Sequence, residues 1–405
     1  MDARTIVTAG LLCLTGACQY QLADNGPGWG TDAVDDGTEP TSAGETDDAL
    51  DSSDDDGDDG LKLDVGDGQG GGADDGGGNH YCDDVIPTPV SCDSQDDDPL
   101  HAIGVNCDED DGVLADGGFT GNDQALMVLA GTLGNDTYPP QEGNKVIVLS
   151  TGVASQITAT PAELAALAPE CEAFDGVAAD CPSTELPGFD YQDLPAPLDV
   201  NPVDPTMASD CNDDPGLIAS GDCSNTLWDQ WQAAGGGMPG IPGEPGLGVS
   251  TANDYAEVRL DISVPADKHG LGFDFAFMSV EYPNYYQSSF NDMFVAWAES
   301  EHWTGNISFD EEGSPITVNA GFLDYKDAPN TYDCADCTAP ELHDFAMQGH
   351  GGTKWLTSST EVEPGEDMTL IFAVFDLSDG ILDSLVLLDN VRWTCGGPPS
   401  TTPVG

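Results

Sequence analysis

Two groups of oxygen-bearing side chains in this sequence have types and spacing suited to hard-cation chemistry. Glu281, Asn291 and Asp292 stand at the two ends of one polar stretch, Glu281-Tyr282-Pro283-Asn284-Tyr285-Tyr286-Gln287-Ser288-Ser289. Asp376, Asp379 and Asp383 follow in a later turn, with Asp389 in the strand beyond it. Calcium takes six to eight oxygen ligands in flexible geometry, which carboxylates and amides of this kind can supply. Carboxylates gathered without counter-charge repel one another, and a bound cation removes that repulsion. The competing reading is that Asp and Asn at these positions form Asx turns and cap loop backbone.

Glu281 with Asp292 or Asp383 also has the composition of a glycosidase acid and nucleophile, if held at the right separation. Tyr282, Tyr285, Tyr286, Trp297 and Trp303 lie close enough in sequence to stack on sugars. Acidic residues are so abundant in this chain that such a pair carries little weight, and binding without turnover is the better expectation. Cys334-Ala335-Asp336-Cys337, with His343 and His350 after it, has the outline of a redox motif or half a zinc site. A redox pair normally caps a helix that follows a strand. This one sits among Pro, Asn and Thr, so a structural disulfide is expected.

The elements that must position these groups are strands. Phe273, Phe275 and Phe277 alternate with Asp274, Ala276 and Met278, a side-chain period of two with one aromatic face. The polar stretch follows, then the apolar run Met293 to Ala298, so the segment reads as a hairpin of strand, loop and strand. Ala256, Val258, Leu260, Ile262 and Val264 alternate with polar residues as a half-exposed strand. Lys145 to Ser150 is β-branched and bounded by turns, a buried strand. Ile307 with Phe309 and Ile316 with Val318 suggest short strands. Met368 to Phe375 is continuous and central, and Leu385 to Leu388, Val391 and Trp393 close the series. Thr160-Pro161-Ala162-Glu163 is a helix start with a capping box, and that helix runs to about Leu167. Thr226 to Ala234 suits a second short helix, while Gln124 to Ala130 fits either helix or strand. The fold class is mainly β: a two-sheet sandwich, jelly-roll-like, with a few short helices.

Charge narrows the function. The 405-residue chain holds 75 acidic residues against 8 basic ones, a formal net of -67. Nucleic-acid binding is excluded, because nothing could neutralise phosphates, and so is polybasic attachment to anionic lipid. Residues 1–18 have Arg4, an apolar run too short to span a bilayer, and Leu14-Thr15-Gly16-Ala17-Cys18, which resembles a bacterial lipobox with Cys18 as the lipidated residue. Residues 19–80 are an acidic, Gly/Ser-rich tether, expected to be disordered. Residues 81–245 form a cysteine-braced N-terminal portion, 246–396 the sandwich core and 397–405 a polar tail. Of 12 cysteines, setting aside Cys13 and Cys18 leaves ten, an even number that suits disulfides in an oxidising compartment. Cys171 with Cys181 and Cys211 with Cys223 close the shortest loops, but spacing leaves the connectivity open.

Several segments resemble the choice-of-anchor L domain of bacterial surface proteins. They are Val148-Leu149-Ser150-Thr151-Gly152, Phe275 to Pro283, Ser289 to Phe294, and Asp376 to Ser384 with the strand after it. Members usually have Glu-Glu-Tyr where this chain has Val280-Glu281-Tyr282. The resemblance implies an extracellular β-rich domain held at the cell surface by differing anchors, and no reaction. The expected protein is exported, lipid-anchored at the outer membrane or cell surface and otherwise secreted. It has a binding or structural role, a protein or carbohydrate surface ligand, calcium as its cofactor, and contact with membrane only through the lipid. The alternative is a glycoside hydrolase using Glu281.

Overall fold

The computed structural model describes residues 90–167 except 95 and 109, scattered residues between 186 and 198, and 252–404 except 289, 291, 311–314, 320, 330–334, 378 and 379. The 1–18 and 19–80 segments and the 226–234 helix lie outside these residues, as do Cys18, Cys171, Cys181, Cys211, Cys223, Cys334, Asn291 and Asp379.

Alternation of apolar and polar residues folds the described chain into two antiparallel sheets. One has the order β1 (Ala115–Thr120), β4 (Ala252–Ser263), β12 (Asp367–Leu377), β6 (Met293–Glu299) and β7 (Thr304–Asn306), with β8 (Ile316–Thr317) also on β6. The other has the order β14 (Ser400–Pro403), β11 (Leu356–Glu361), β5 (Gly270–Ser279), β13 (Ser384–Thr394), β3 (Lys145–Ser150) and β2 (Leu126–Ala130). Its β5 also carries β10 (Gly351–Gly352), which pairs β9 (Tyr325–Lys326). The expected mainly β sandwich is therefore the observed architecture. The ambiguous run at Gln124 to Ala130 is a strand because β3 presents it with a free edge over five residue pairs.

The inward faces meet through aromatic rings. Phe273 on β5 stands edge-on to Phe372 on β12 at 4.7 Å, and Phe275 reaches Phe294 on β6 at 5.0 Å. Both sheets bury their outer faces as well. Val148, Met278, Leu385 and Leu387 pack beneath Leu342, Phe345, Met347 and Trp355. Tyr255, Val295, Ile371 and Phe375 pack beneath Leu194 and Leu198. This double covering is why all ten residues of β5 are buried, including the charged Asp274. Asp274 is tolerated because Arg392, Asn390 and Thr357 all donate to its two oxygens.

Two expectations change. The strands flanking the polar stretch are not a hairpin: β5 lies in one sheet and β6 in the other, so residues 280–292 cross between sheets. Each strand finds better partners elsewhere, β5 between β11 and β13 and β6 beside β12. The 397–405 tail supplies β14, whose polar residues satisfy the edge of β11 through Ser and Thr backbone rather than apolar burial. Val391 and Trp393, which close the series as read, continue β13 past a register shift between Asp389 and Arg392. The helix at Pro161–Leu167 stands as read, with Thr160 and Glu163 bonded reciprocally in a capping box.

Truncating Phe273 to Ala removes a ring that bridges both sheets. The expected loss is about 3–5 kcal/mol, read as a lower urea midpoint with an unchanged denaturant slope; a loss under about 1 kcal/mol would contradict this packing.

Candidate functional site

Two of the inter-sheet crossovers, 280–292 and 378–383, meet at one end of the sandwich. Ser279, the last residue of β5, pairs with Ser384, the first of β13, while Met293 at the start of β6 pairs with Phe375 near the end of β12. Ser150 at the end of β3 pairs with Leu385, and Ala252 at the start of β4 pairs with Leu377. Antiparallel pairing therefore brings the 280–292 crossover, the 378–383 crossover, the Thr151-Gly152 turn and the start of β4 to one place. Each brings an acidic or hydroxyl side chain.

Asp292 is the joint between the sheets. It is 1% exposed, and its Oδ2 accepts from the Ser384 hydroxyl at 2.6 Å while Oδ1 accepts from the Leu377 N–H at 3.4 Å. Glu281, 2% exposed, turns Oε2 toward the Asp292 N–H at 3.4 Å, and its own N–H donates to the Ser279 hydroxyl at 3.1 Å. Thr151 Oγ1 accepts the Ser384 N–H at 2.9 Å, and the Val280 N–H donates to the Asp383 carbonyl at 3.1 Å. Asp254, with a left-handed φ of 50°, accepts the Leu186 N–H on Oδ1 at 2.8 Å.

Asp376 differs from these. It is 1% exposed, and neither carboxylate oxygen has a hydrogen-bond partner. Burial pushes its carboxyl well above the usual range, and the nearby charges of Asp292, Asp383 and Asp254 push the same way; the Thr151 hydroxyl acts in the opposite sense. That hydroxyl accepts the Ser384 N–H at 2.9 Å, and its one proton also has the Ser384 carbonyl 3.4 Å away. Two glycines make room for the other carboxylates. A Cβ on Gly152 would fall 1.9 Å from Asp383 Oδ2, and one on Gly380 would fall 2.5 Å from Asp254 Oδ2.

The two groups singled out in sequence are thus one cluster. Glu281 meets Asp292, and Asp376 joins them from the end of β12 and Asp383 from the crossover after it; Asn291 and Asp379 are outside the described residues. Among the described residues no three His, Cys, Asp or Glu side chains stand in an arrangement that would hold a metal ion as they are. Sequence reading missed Asp254, Thr151, Ser384, Gly152 and Gly380. Thr151, Gly152 and Ser384 fell inside the segments that carried the resemblance, whereas nothing local marks Asp254, which only strand pairing brings to Asp376.

The aromatic side chains near the cluster serve packing. Tyr282 packs with Val318 and Leu323, Tyr286 meets its edge at 5.8 Å, and the Lys326 ammonium lies over both rings. Tyr285 packs on Phe290 at 5.2 Å, Trp297 is buried on an outer face and Trp303 is packed on the inter-sheet core. Glu281 and Asp292, one of the two pairings weighed as the alternative glycosidase reading, are both buried, and Asp383, the other candidate partner, is half-buried. Cys337 is in a disulfide, as is Cys395. His343 is bonded to Asp327 at 2.9 Å and His350 to the Tyr282 carbonyl at 2.9 Å. The disulfide between Cys92 and Cys107 was not among the expected pairings.

Asp389 forms a separate acidic feature on β13. Its oxygens accept the N–H groups of Gln141, Glu142 and Asn390, pinning the 139–144 loop to the strand. Burial nevertheless pushes its carboxyl up to about 8.

Fold and site define a two-sheet β-sandwich with acidic groups turned inward at the end where two of its crossovers meet. Residues 222–392 match the family model of the Choice-of-anchor L domain, which bears out the resemblance read from the sequence. The match points to an exported, surface-associated protein. Strands β1 to β3 and β14 lie outside it but complete both sheets. No curated protein and no solved structure matches the chain. No helix among the described residues is long and apolar enough to cross a membrane.

Two outcomes follow from this geometry. Gly152→Ala forces Asp383 out of its place and lowers stability by about 1–3 kcal/mol, while Gly118→Ala, with nothing within 4 Å, leaves the urea midpoint unchanged or slightly raised. Equal midpoints for the two variants would contradict the cradle. Asp389 binds its proton more tightly folded than unfolded, so its contribution makes stability fall as pH rises from about 4 toward about 8. The slope from this one proton reaches at most about 1.4 kcal/mol per pH unit. Urea midpoints across that range should decline less steeply in Asp389→Asn than in the unaltered chain.

Proposed function

We propose that this chain is a lipid-anchored surface protein whose sandwich has a binding or structural role and is stabilised by calcium. The observation that carries the non-catalytic part is the inward orientation of Glu281 and Asp292, which are 2% and 1% exposed. Acid and base groups that act on a substrate must reach it, and these two instead bond the crossover backbone and the neighbouring strands. The match to the Choice-of-anchor L domain supports the surface location. The lipobox-like stretch ending at Cys18 supports the anchor, and the acidic 19–80 segment supplies chain between that anchor and the sandwich. With 75 acidic residues against 8 basic ones, the ligand of such a surface is a protein or carbohydrate rather than a nucleic acid.

Lipid attachment at Cys18 is tested by expressing the full chain in a bacterium with lipoprotein processing. The unaltered protein should partition with membranes, carry a diacylglyceryl mass on its N-terminal peptide and be cut by protease added to intact cells. Cys18→Ala should release it into the soluble or secreted fraction. Retention of the variant in the membrane fraction would remove Cys18 as the anchor.

A further inference from the structure

We propose that the end of the sandwich where both crossovers meet is a divalent-cation site suited to calcium, with Asp376, Asp292 and Asp383 as its carboxylate ligands and Asp254 behind them. This gives a place to the calcium of the reading above and rests on that reading only for an exported location, where calcium is freely available.

Three observations converge on it. Asp376 is buried and its two oxygens have no hydrogen-bond partner. Its electrostatic neighbours are three further carboxylates, those of Asp292, Asp383 and Asp254. Gly152 and Gly380 sit where any side chain would displace the carboxylates of Asp383 and Asp254. A hydrogen-bonded acidic loop needs neither an orphaned carboxylate nor glycines opposite its acids. The available donors are oxygen throughout: carboxylates and the hydroxyls of Thr151 and Ser384. Such a set favours calcium over zinc, which prefers nitrogen and sulfur. Magnesium demands near-ideal octahedral geometry at about 2.0–2.1 Å, whereas calcium accepts irregular shells at about 2.3–2.6 Å.

Binding draws the carboxylates closer than they now stand. Asp383, which is half-buried, closes inward, and Asp292 shares an oxygen between the Ser384 hydroxyl and the ion. The ligands come from the 280–292 crossover, β12 and the 378–383 crossover, so one ion ties both sheets together at this end. An ion that must reorganise its ligands binds modestly, with a Kd of about 10⁻⁴–10⁻³ M, the range of extracellular calcium modules.

The test is thermal unfolding of the full chain at neutral pH with calcium chloride, magnesium chloride or sodium chloride at matched ionic strength. Calcium at about ten times Kd should raise the midpoint saturably by several degrees, magnesium by less, and sodium not at all beyond screening. Asp376→Asn and Asp383→Asn should lose that calcium-specific rise. Asp116→Asn, on the exposed edge strand, should keep it and so account for loose binding by the many other acids. If Asp376→Asn does not fold, Asp383→Asn carries the comparison, since its side chain is partly in solvent. The proposal is overturned if calcium raises all four proteins equally or none of them. It is equally overturned if Asp376→Asn is more stable than the unaltered chain and the unaltered chain ignores calcium, because Asp376 is then simply held protonated. Membrane release of Cys18→Ala reports on attachment alone, so failure here and failure of the surface reading are told apart.

Discussion

Asp292 holds the two sheets at a fixed distance where both crossovers pass. One of its oxygens accepts a hydrogen bond from the backbone N–H of Leu377, in the sheet of β12, and the other from the hydroxyl of Ser384, in the sheet of β13. Hydrophobic burial gives the sandwich most of its stability but has no direction. Sheets joined by rings alone could slide across one another, because apolar contact fixes no single alignment. A buried, hydrogen-bonded carboxylate between the sheets has only one satisfactory position. Removing either donor would leave a charge buried without compensation, which costs more than a lost apolar contact.

The same device recurs throughout the molecule, for a reason set by composition. With 8 Lys and Arg for 75 Asp and Glu, few buried carboxylates can be neutralised by side chains; Asp274 with Arg392 is one that is. Elsewhere the backbone serves. Asp389 accepts three N–H groups, Asp327 accepts those of Ala339 and Gly349, and Glu366 accepts those of Glu301 and Glu363. Each of these carboxylates pins a loop whose N–H groups would otherwise be unsatisfied. An acidic chain thus turns its surplus charge into loop anchors, and the long connections of this sandwich become ordered without helices.

Strand identity was legible because period-two alternation survives even where a sheet is covered on both faces. Phe273, Phe275 and Phe277 point one way and Ala276 and Met278 the other, so β5 could be read although all of it is buried. Partnership was not legible. A polar stretch between two apolar runs looks the same whether the chain turns back on itself or crosses to a second sheet, and only the competing claims of β11, β13 and β12 decide. The cluster divided along the same line. Glu281 and Asp292 lie within one crossover, Asp376 stands at the end of β12 with Asp383 in the crossover after it, and sequence proximity picked out each of the two groups. That the two pairs are one, and that Asp254 joins them, depends on pairings between β4 and β12 and between β5 and β13 that no local pattern encodes. The Cys92–Cys107 disulfide escaped for a similar reason, since loop length ranks closures but does not place sulfur atoms.

Set beside the other acidic side chains, Asp376 breaks the rule the molecule otherwise follows. Asp292, Asp389, Asp327 and Glu366 are each met by donors already present in the chain. Asp376 is as deeply buried and is met by further acids instead. A buried carboxylate has two ways out of such a position: a proton on the group or a cation beside it. A proton would silence one acid and leave the charges of Asp383 and Asp254 near one another, and it would give no reason for glycine at 152 and 380. A cation lowers the energy of every carboxylate it faces, makes use of the room the glycines leave, and binds the two crossovers that Asp292 already joins. The geometry that sets Asp376 apart is therefore better matched by a ligand from outside the chain than by a change of state within it.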